Sequence, residues 1–260
     1  MDLHDLLGGV AAGLAGGFSA GLLGVSPGGG LVVFSVLLLG AEQHVAQGIS
    51  LVAQIPPTGV AGIRRYWERG GRSPLRWLVI LSAGFVAGGI AGAYGASRAS
   101  SSVLQWSYVA YLLGLDAMLI ARGARKAPEH GEIIATKDLH WAALLTVGSF
   151  AGLSSGFLGI GGGLATVVGL SAVLGVPQHQ AQLISLVLSL IPTTLPSAWV
   201  YWKQGWSWSW AALAGVIVGL VIGTDLGARL ANKIDRSTLH FAMIFFVSLM
   251  AAYMSYKALS

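Results

Sequence analysis

The sequence has no cysteine and very little charge: only 10% of its 260 residues are Asp, Glu, Lys or Arg. Without cysteine there can be no disulfide, no thiolate metal ligand and no cysteine nucleophile. With so few charges a soluble fold could not cover its surface, since soluble domains carry about 25% charged residues. Acidic side chains are scarcer than basic ones, ten against fifteen, which leaves a net charge of +5. The basic residues fall in short loops between apolar runs, a pattern that orients a chain in a membrane rather than building a nucleic-acid face. No nucleic-acid partner is expected. A Walker-type Gly-Lys-Ser/Thr sequence is also missing, so nothing here would hold ATP. The opening Met1-Asp2-Leu3-His4-Asp5 lacks the basic start of a signal peptide, and the first apolar segment is expected to be retained.

What the sequence does contain is apolar residues, 55% of the total, and 38 glycines. Apolar runs divide each half into about five segments: 6–25, 29–40, 44–63, 75–97 and 102–121, then 139–159, 162–175, 179–202, 208–231 and 237–257. Several approach or exceed the roughly 18 residues of a transmembrane helix. The second segment of each half is too short to span about 30 Å of hydrocarbon, and reads as a half-helix returning from a glycine break. Arg64, Arg65, Arg69, Arg72 and Arg76 mark one cytoplasmic loop, and Arg122, Arg125, Lys126 and Lys137 another. The loop at Lys203 then falls outside, the loop with Arg229, Lys233 and Arg236 inside, and both termini outside.

A shift of 135 residues aligns Gly21–Gly70 with Gly156–Gly205 without a gap, and 21 of the 50 pairs are identical. Chance similarity between apolar helices would match leucines and valines. Here the matches include Gln43/Gln178, His44/His179, Gln47/Gln182, Ser50/Ser185, Pro57/Pro192, Thr58/Thr193, Tyr66/Tyr201 and Trp67/Trp202. The halves are therefore a duplication. Equivalent loops carry opposite charge character, as they would if the halves were related by a two-fold axis in the membrane plane. The expected fold is all-α and polytopic: two inverted-topology repeats, 1–122 and 138–260, joined by a cytoplasmic linker 123–137, each with a glycine-broken helix hairpin. Inverted repeats with helices interrupted near the midplane are characteristic of secondary transporters.

Gly21-Leu-Leu-Gly-Val-Ser-Pro-Gly-Gly-Gly30 and Gly156-Phe-Leu-Gly-Ile-Gly-Gly-Gly163 open the halves. Each is followed by Ala-Gln-x-Ile-Ser-Leu-Val (46–52 and 181–187) and closes on Tyr-Trp-x-x-Gly. The chain thereby resembles the TauE/SafE family of sulfite exporters over nearly its whole length. The resemblance implies a multi-pass permease of the cytoplasmic membrane for sulfite, sulfonates or related anions, without enzymatic activity or a cofactor. One departure is Ser26-Pro27, where the second half has Gly161-Gly162.

Residues that could carry such a function each have a plainer explanation. Helices starting near Ser26, Gly28, Gly29 and Gly30, and near Gly161, Gly162 and Gly163, would aim free N–H groups at an oxyanion. Alternatively, the glycines only let helices pack closely. Gln47, Ser50, Gln54 and Thr58 line one helical face, repeated by Gln182, Ser185, Ser189 and Thr193. Such a face can bind an anion or hydrogen-bond a neighbouring helix. Pro57 and Pro192 weaken the helix beside it. His44 and His179 could couple or gate transport, or sit at the water interface. Two histidines do not make a metal site. Asp116, inside an apolar run, is a candidate proton relay. Asp225 and Arg229 read as an i, i+4 pair. Arg64 and Arg65 either draw anions to a vestibule or only orient the chain.

Two readings from other classes remain: a transporter of another small anion, and an intramembrane serine hydrolase. The latter comes from Gly17-Phe-Ser19-Ala-Gly21 and Gly152-Leu-Ser154-Ser-Gly156, which match a nucleophile elbow but lie in helical segments rather than at a strand–helix turn. The expected partners are a small anion and the lipid bilayer. Nothing in the sequence specifies an oligomeric state.

Overall fold

The computed structural model of the chain describes residues 3–23, 26–56, 73–123, 139–205, 208–231, 233–234 and 236–259. Every regular element among them is helical. In order these are α1 (Leu3–Leu23), α2 (Gly28–Leu38), α3 (Gln43–Ala53), α4 (Leu75–Arg98), α5 (Ser101–Gly123), α6 (Trp141–Leu158), α7 (Gly163–Val168), a π-helical turn (Gly169–Val173), α8 (Gln178–Leu188), α9 (Leu195–Lys203), α10 (Trp210–Ala231) and α11 (Arg236–Leu259). Among the described residues, four helices are long and apolar enough to cross a membrane: α1, α4, α6 and α10.

These four helices associate in two pairs, and each pair joins the first half of the chain to the second. In one pair, a Cβ added at Gly9, Gly13, Gly17 or Gly21 of α1 would overlap the carbonyl oxygens of Ala212, Val216, Leu220 and Thr224 of α10 in turn. Gly215, Gly219, Gly223 and Gly227 of α10 answer with the carbonyls of Leu6, Val10, Leu14 and Phe18. The second pair repeats the pattern. Gly84, Gly88 and Gly92 of α4 lie on the carbonyls of Leu145, Ser149 and Leu153, and Gly148, Gly152 and Gly156 of α6 on those of Leu81, Phe85 and Gly89. A four-residue glycine step keeps every glycine on one face. Residue numbers advance together along both partners, so each pair runs parallel. Lipid supplies no hydrophobic drive between helices, and close backbone approach through small residues is what holds such pairs.

The shorter helices fill the centre. Gly16 and Gly8 of α1 lie against Leu31 of α2 and Leu39, the residue that caps it. Around them buried residues from both halves, among them Leu31, Ile49, Leu51, Tyr201 and Leu220, form one continuous core. Pro27, with φ −68°, precedes the first residue of α2, where its missing N–H leaves no helix bond unmade. The second half uses glycine instead. Gly159, Gly161 and Gly162 have φ of 73°, 76° and 63°, a left-handed run that side-chain-bearing residues adopt only with strain.

The structure corrects the reading of the last segments before the tryptophans. Segment 179–202 is not one helix. α8 stops at Leu188, residues 189–194 form a break containing Pro192, and α9 resumes at Leu195. Ser189 and Thr193 therefore do not continue the helical face of Gln182 and Ser185. Proline removes a donor and obstructs the preceding turn, and its effect here is a full interruption rather than a weakening. Segment 162–175 also departs from a plain half-helix, because it widens into the π turn closed by Leu174 N–H to the Gly169 carbonyl at 3.2 Å.

The glycine stripes make a stability prediction. Gly152→Ala places a methyl group into the Phe85 carbonyl and should destabilise the protein by about 1–3 kcal/mol in detergent unfolding. At Gly114, where a Cβ meets nothing within 4 Å, the same change should be neutral or stabilising by up to about 1 kcal/mol. Equal effects at the two positions would show that the stripe does not carry the packing.

Candidate functional site

The two breaks in the chain lie against each other. A Cβ at Gly28 would overlap the carbonyl of Ile160, and one at Gly163 would come within 2.9 Å of Ser26 Cβ. Ser26 Oγ lies 2.8 Å from Gln54 Oε1 and 3.3 Å from the Ile160 carbonyl. Gln54, the residue capping α3, donates from Nε2 to the Ser50 carbonyl at 2.9 Å and to Ser50 Oγ at 3.1 Å. Ser50 Oγ in turn lies 2.7 Å from the Gly159 carbonyl and 3.4 Å from that of Gly28. The second half repeats one of these contacts at the same spacing, with Ser185 donating to the Gly163 carbonyl at 3.1 Å. Gln47 is fully buried, packs along Gly159, and meets the Tyr201 hydroxyl with its Oε1 at 2.9 Å.

Interrupting a helix frees carbonyls at one end and N–H groups at the other, and in a membrane interior each unmet group costs several kcal/mol. Hydroxyls meet part of that demand, on the carbonyls of Gly156 and Gly159 at the end of α6. Ser50, Ser185, Tyr108 on Gly29, Tyr201 on Gly156, and Thr166 on Gly162 all reach carbonyls at or beside the breaks. The polar face of α3 thus serves the backbone of the opposite half directly.

Beside this junction lies a cavity lined by Ser19, Ser26, Gly29, Gly30 and Gly162 on one side. Tyr111, Leu112 and Leu115 of α5 and Phe246, Val247 and Met250 of α11 line the other. The N-terminal turn of α2 forms part of its wall. Ala20, Ile160 and Leu164 complete the first wall, so the cavity is mostly apolar, with Ser19, Ser26 and glycine backbone as its polar part.

Of the residues singled out from the sequence, Ser26, Gly28, Gly29, Gly30, Gln47, Ser50, Gln54, Gly161, Gly162, Gly163 and Ser185 come together here. Gln182 is half-buried on α8, one turn before Ser185. Ser189 is exposed and bonds the Leu186 carbonyl at 2.6 Å, away from the junction. Thr193 is buried within the second interruption. His44 is 2% exposed and bonds the Ala96 carbonyl at 3.0 Å through Nε2, tying α3 to the end of α4. Asp116 accepts a 2.6 Å hydrogen bond from Ser248, joining α5 to α11. Asp225 and Arg229 form the expected i, i+4 ion pair at 2.8 Å, on the exposed surface. Thr58, Arg64 and Arg65, and the side chain of His179, lie outside the described residues.

The sequence reading missed Tyr108 and Tyr201. Tyr201 carried a signal, because it pairs with Tyr66 in the duplication. Tyr108 lies beyond the aligned stretch and had none.

Removing a capping hydroxyl should be felt in stability. Ser50→Ala leaves the buried Gly159 carbonyl without this donor, and should cost about 1–3 kcal/mol in the same unfolding assay. Ser189→Ala should cost little. A Ser50→Ala protein as stable as the parent would mean that the hydroxyl is free for another task.

No curated protein matches the chain significantly. The model of the sulfite exporter TauE/SafE family matches residues 9–254, which take in both breaks, α4, α6 and α10 whole, and α1 from Gly9 onward. The chain is an integral membrane protein and belongs to the TauE/SafE family of sulfite exporters.

Proposed function

We propose that the protein is a secondary transporter moving sulfite or a small organosulfonate across the cytoplasmic membrane. The observation that carries this reading is the meeting of the two breaks beside a cavity lined by Gly29 and Gly30. The first N–H groups of α2 have no helix partner, and the positive end of its dipole favours an anion. The halves act as inverted repeats, and alternating access follows from one moving against the other around the junction. Three features support this. The glycine pairs cross between the halves symmetrically, α1 with α10 and α4 with α6. Both members of each pair run the same way, as the loop charges require. In each half a short helix follows the break, and α2 lies back along α1 as a broken hairpin would.

A hydrolytic role is disfavoured by the two elbow-like serines. Ser19 and Ser154 lie within helices α1 and α6 and donate to the carbonyls of Gly16 and Phe150, at 2.7 and 2.9 Å. This is how a serine behaves inside a helix, and not on a strained turn before one.

The reading is tested by flux into liposomes containing the purified protein, with sulfite, a short alkyl sulfonate, sulfate and chloride offered in turn. Saturable movement of sulfite or the sulfonate is the expected result; movement of none of the four by folded protein sinks it. Gly29→Leu is the informative variant, because a Cβ there meets only the Tyr108 hydroxyl at 4.0 Å. It should fill the cavity without breaking the fold and reduce flux by more than about tenfold, equivalent to about 1.4 kcal/mol on the barrier. For proton coupling through Asp116, the variant is Asp116→Asn, which keeps an acceptor for Ser248. Its flux should lose the pH dependence of the parent, and an unaltered pH profile removes Asp116 from that role.

A further inference from the structure

We infer that the junction between the two breaks binds an alkali cation of sodium's size, held by Ser26 Oγ, Gln54 Oε1 and the Ile160 carbonyl, with the Ser50–Gly159 pair behind them. The Gln54 amide has only one sensible orientation, because its Nε2 lies 2.9 Å from the Ser50 carbonyl, which can only accept. Its Oε1 therefore faces Ser26 at 2.8 Å. A serine hydroxyl has one hydrogen. Ser26 Oγ faces two oxygens that can only accept, Gln54 Oε1 and the Ile160 carbonyl. Ser50 Oγ faces two more, the carbonyls of Gly159 and Gly28. The Gly28 carbonyl already accepts within α2, so the cluster offers two hydroxyl hydrogens to three acceptors outside any helix.

Two helix ends add to this excess of negative potential. α3 ends at Ala53, immediately before Gln54, and α6 ends at Leu158, immediately before Gly159. Both direct their last, partly unmet carbonyls and the negative ends of their dipoles toward the cluster. A cation placed among these oxygens supplies the positive charge that the hydroxyl hydrogens do not. The ligands are all neutral oxygens, which suits a hard cation rather than a transition metal. The absence of a carboxylate among these ligands favours a single charge over a double one. Left-handed Gly161 keeps the space narrow: a Cβ there would overlap Gln54 Oε1 and lie 2.8 Å from Ser26 Oγ.

The inference deepens the transport reading by naming a coupling ion. Two of the ligands, Ser26 and Ile160, also line the cavity at the start of α2, so the cation would lie directly beside a bound anion. A cation here offsets the charge of an anion there, and each should bind better with the other present. Unwound carbonyls and helix C-terminal ends form ion sites of this kind in transporters with broken helices.

The test is equilibrium binding of radiolabelled sodium to the purified full-length protein, with no anionic substrate added. Binding should saturate, be displaced by unlabelled sodium and not by choline, and weaken at least about tenfold in both Ser26→Ala and Gln54→Ala. Gln54→Glu guards against misfolding of the other variants. By adding a carboxylate where the amide oxygen stood, it should tighten sodium binding and admit calcium, which a purely structural glutamine would not do. Absence of saturable sodium binding by folded wild-type protein overturns the inference. So does binding unchanged by Ser26→Ala and Gln54→Ala. Sulfite flux that is independent of sodium would also discard the coupling ion while leaving the transport reading intact. Sodium binding without sulfite or sulfonate flux would keep the site and discard the substrate.

Discussion

The architecture depends on direct contact between helix backbones. At fourteen glycines in α1, α10, α4 and α6, a single added carbon would overlap a carbonyl on the partner helix. No side chain separates the members of a pair, so their relative height and rotation are fixed by the backbone alone. Because each pair takes one helix from each half, the halves cannot be positioned independently. Bringing Gly28 against Ile160 follows from that crossing. The breaks are far apart in sequence, and their meeting depends on how α1 and α6 are held by helices from the opposite half.

Once two interrupted helices are brought to the interior, the next constraint is polar. A free carbonyl in a membrane protein's interior is too costly to leave alone, while a made hydrogen bond contributes only about 0.5–1.5 kcal/mol. This asymmetry explains the positions of the hydroxyls. Ser50 and Tyr201 stand where α6 frees the carbonyls of Gly159 and Gly156, and both also reach across to the other half, while Ser185 and Tyr108 add a second bond to carbonyls in the first turns of α7 and α2. The polar residues of α3 are structural to the break and, through the same atoms, set the charge of the space beside it. The start of α2 and the acceptor oxygens of Ser26 and Ile160 border the same cavity.

Much of this was legible in the sequence, for physical reasons. Long uncharged runs report spanning helices because a single segment satisfies its own backbone in lipid only as a helix, and the second glycine cluster reports a break because glycine readily accepts the φ of Gly161 and Gly162. The register of Gln47, Ser50 and Gln54 gave most of the junction, since helical periodicity places them on one side. Two things were hidden. The crossing of α1 with α10 and α4 with α6 is a long-range choice, and a glycine stripe does not name its partner. The interruption at 189–194 was also hidden, because Pro192 in an apolar run is compatible with a kink as well as a stop. That ambiguity misplaced Ser189 and Thr193. Tyr108 was invisible for a third reason: it acts on Gly29 from a helix outside the duplicated motif.

The crossing of the halves is the claim on which the rest stands, and a protein without cysteine allows a direct measurement of it. Spin labels at cysteines replacing exposed Leu7 and Trp210 report on the same end of α1 and α10, and labels at Leu7 and Leu230 on opposite ends. Parallel pairing predicts a short distance for the first pair, and for the second a separation of roughly 25–30 Å along the axis, from the 1.5 Å rise per residue. A long distance for Leu7 with Trp210, or a short one for Leu7 with Leu230, in protein reconstituted in lipid would contradict the crossed architecture and the junction built on it.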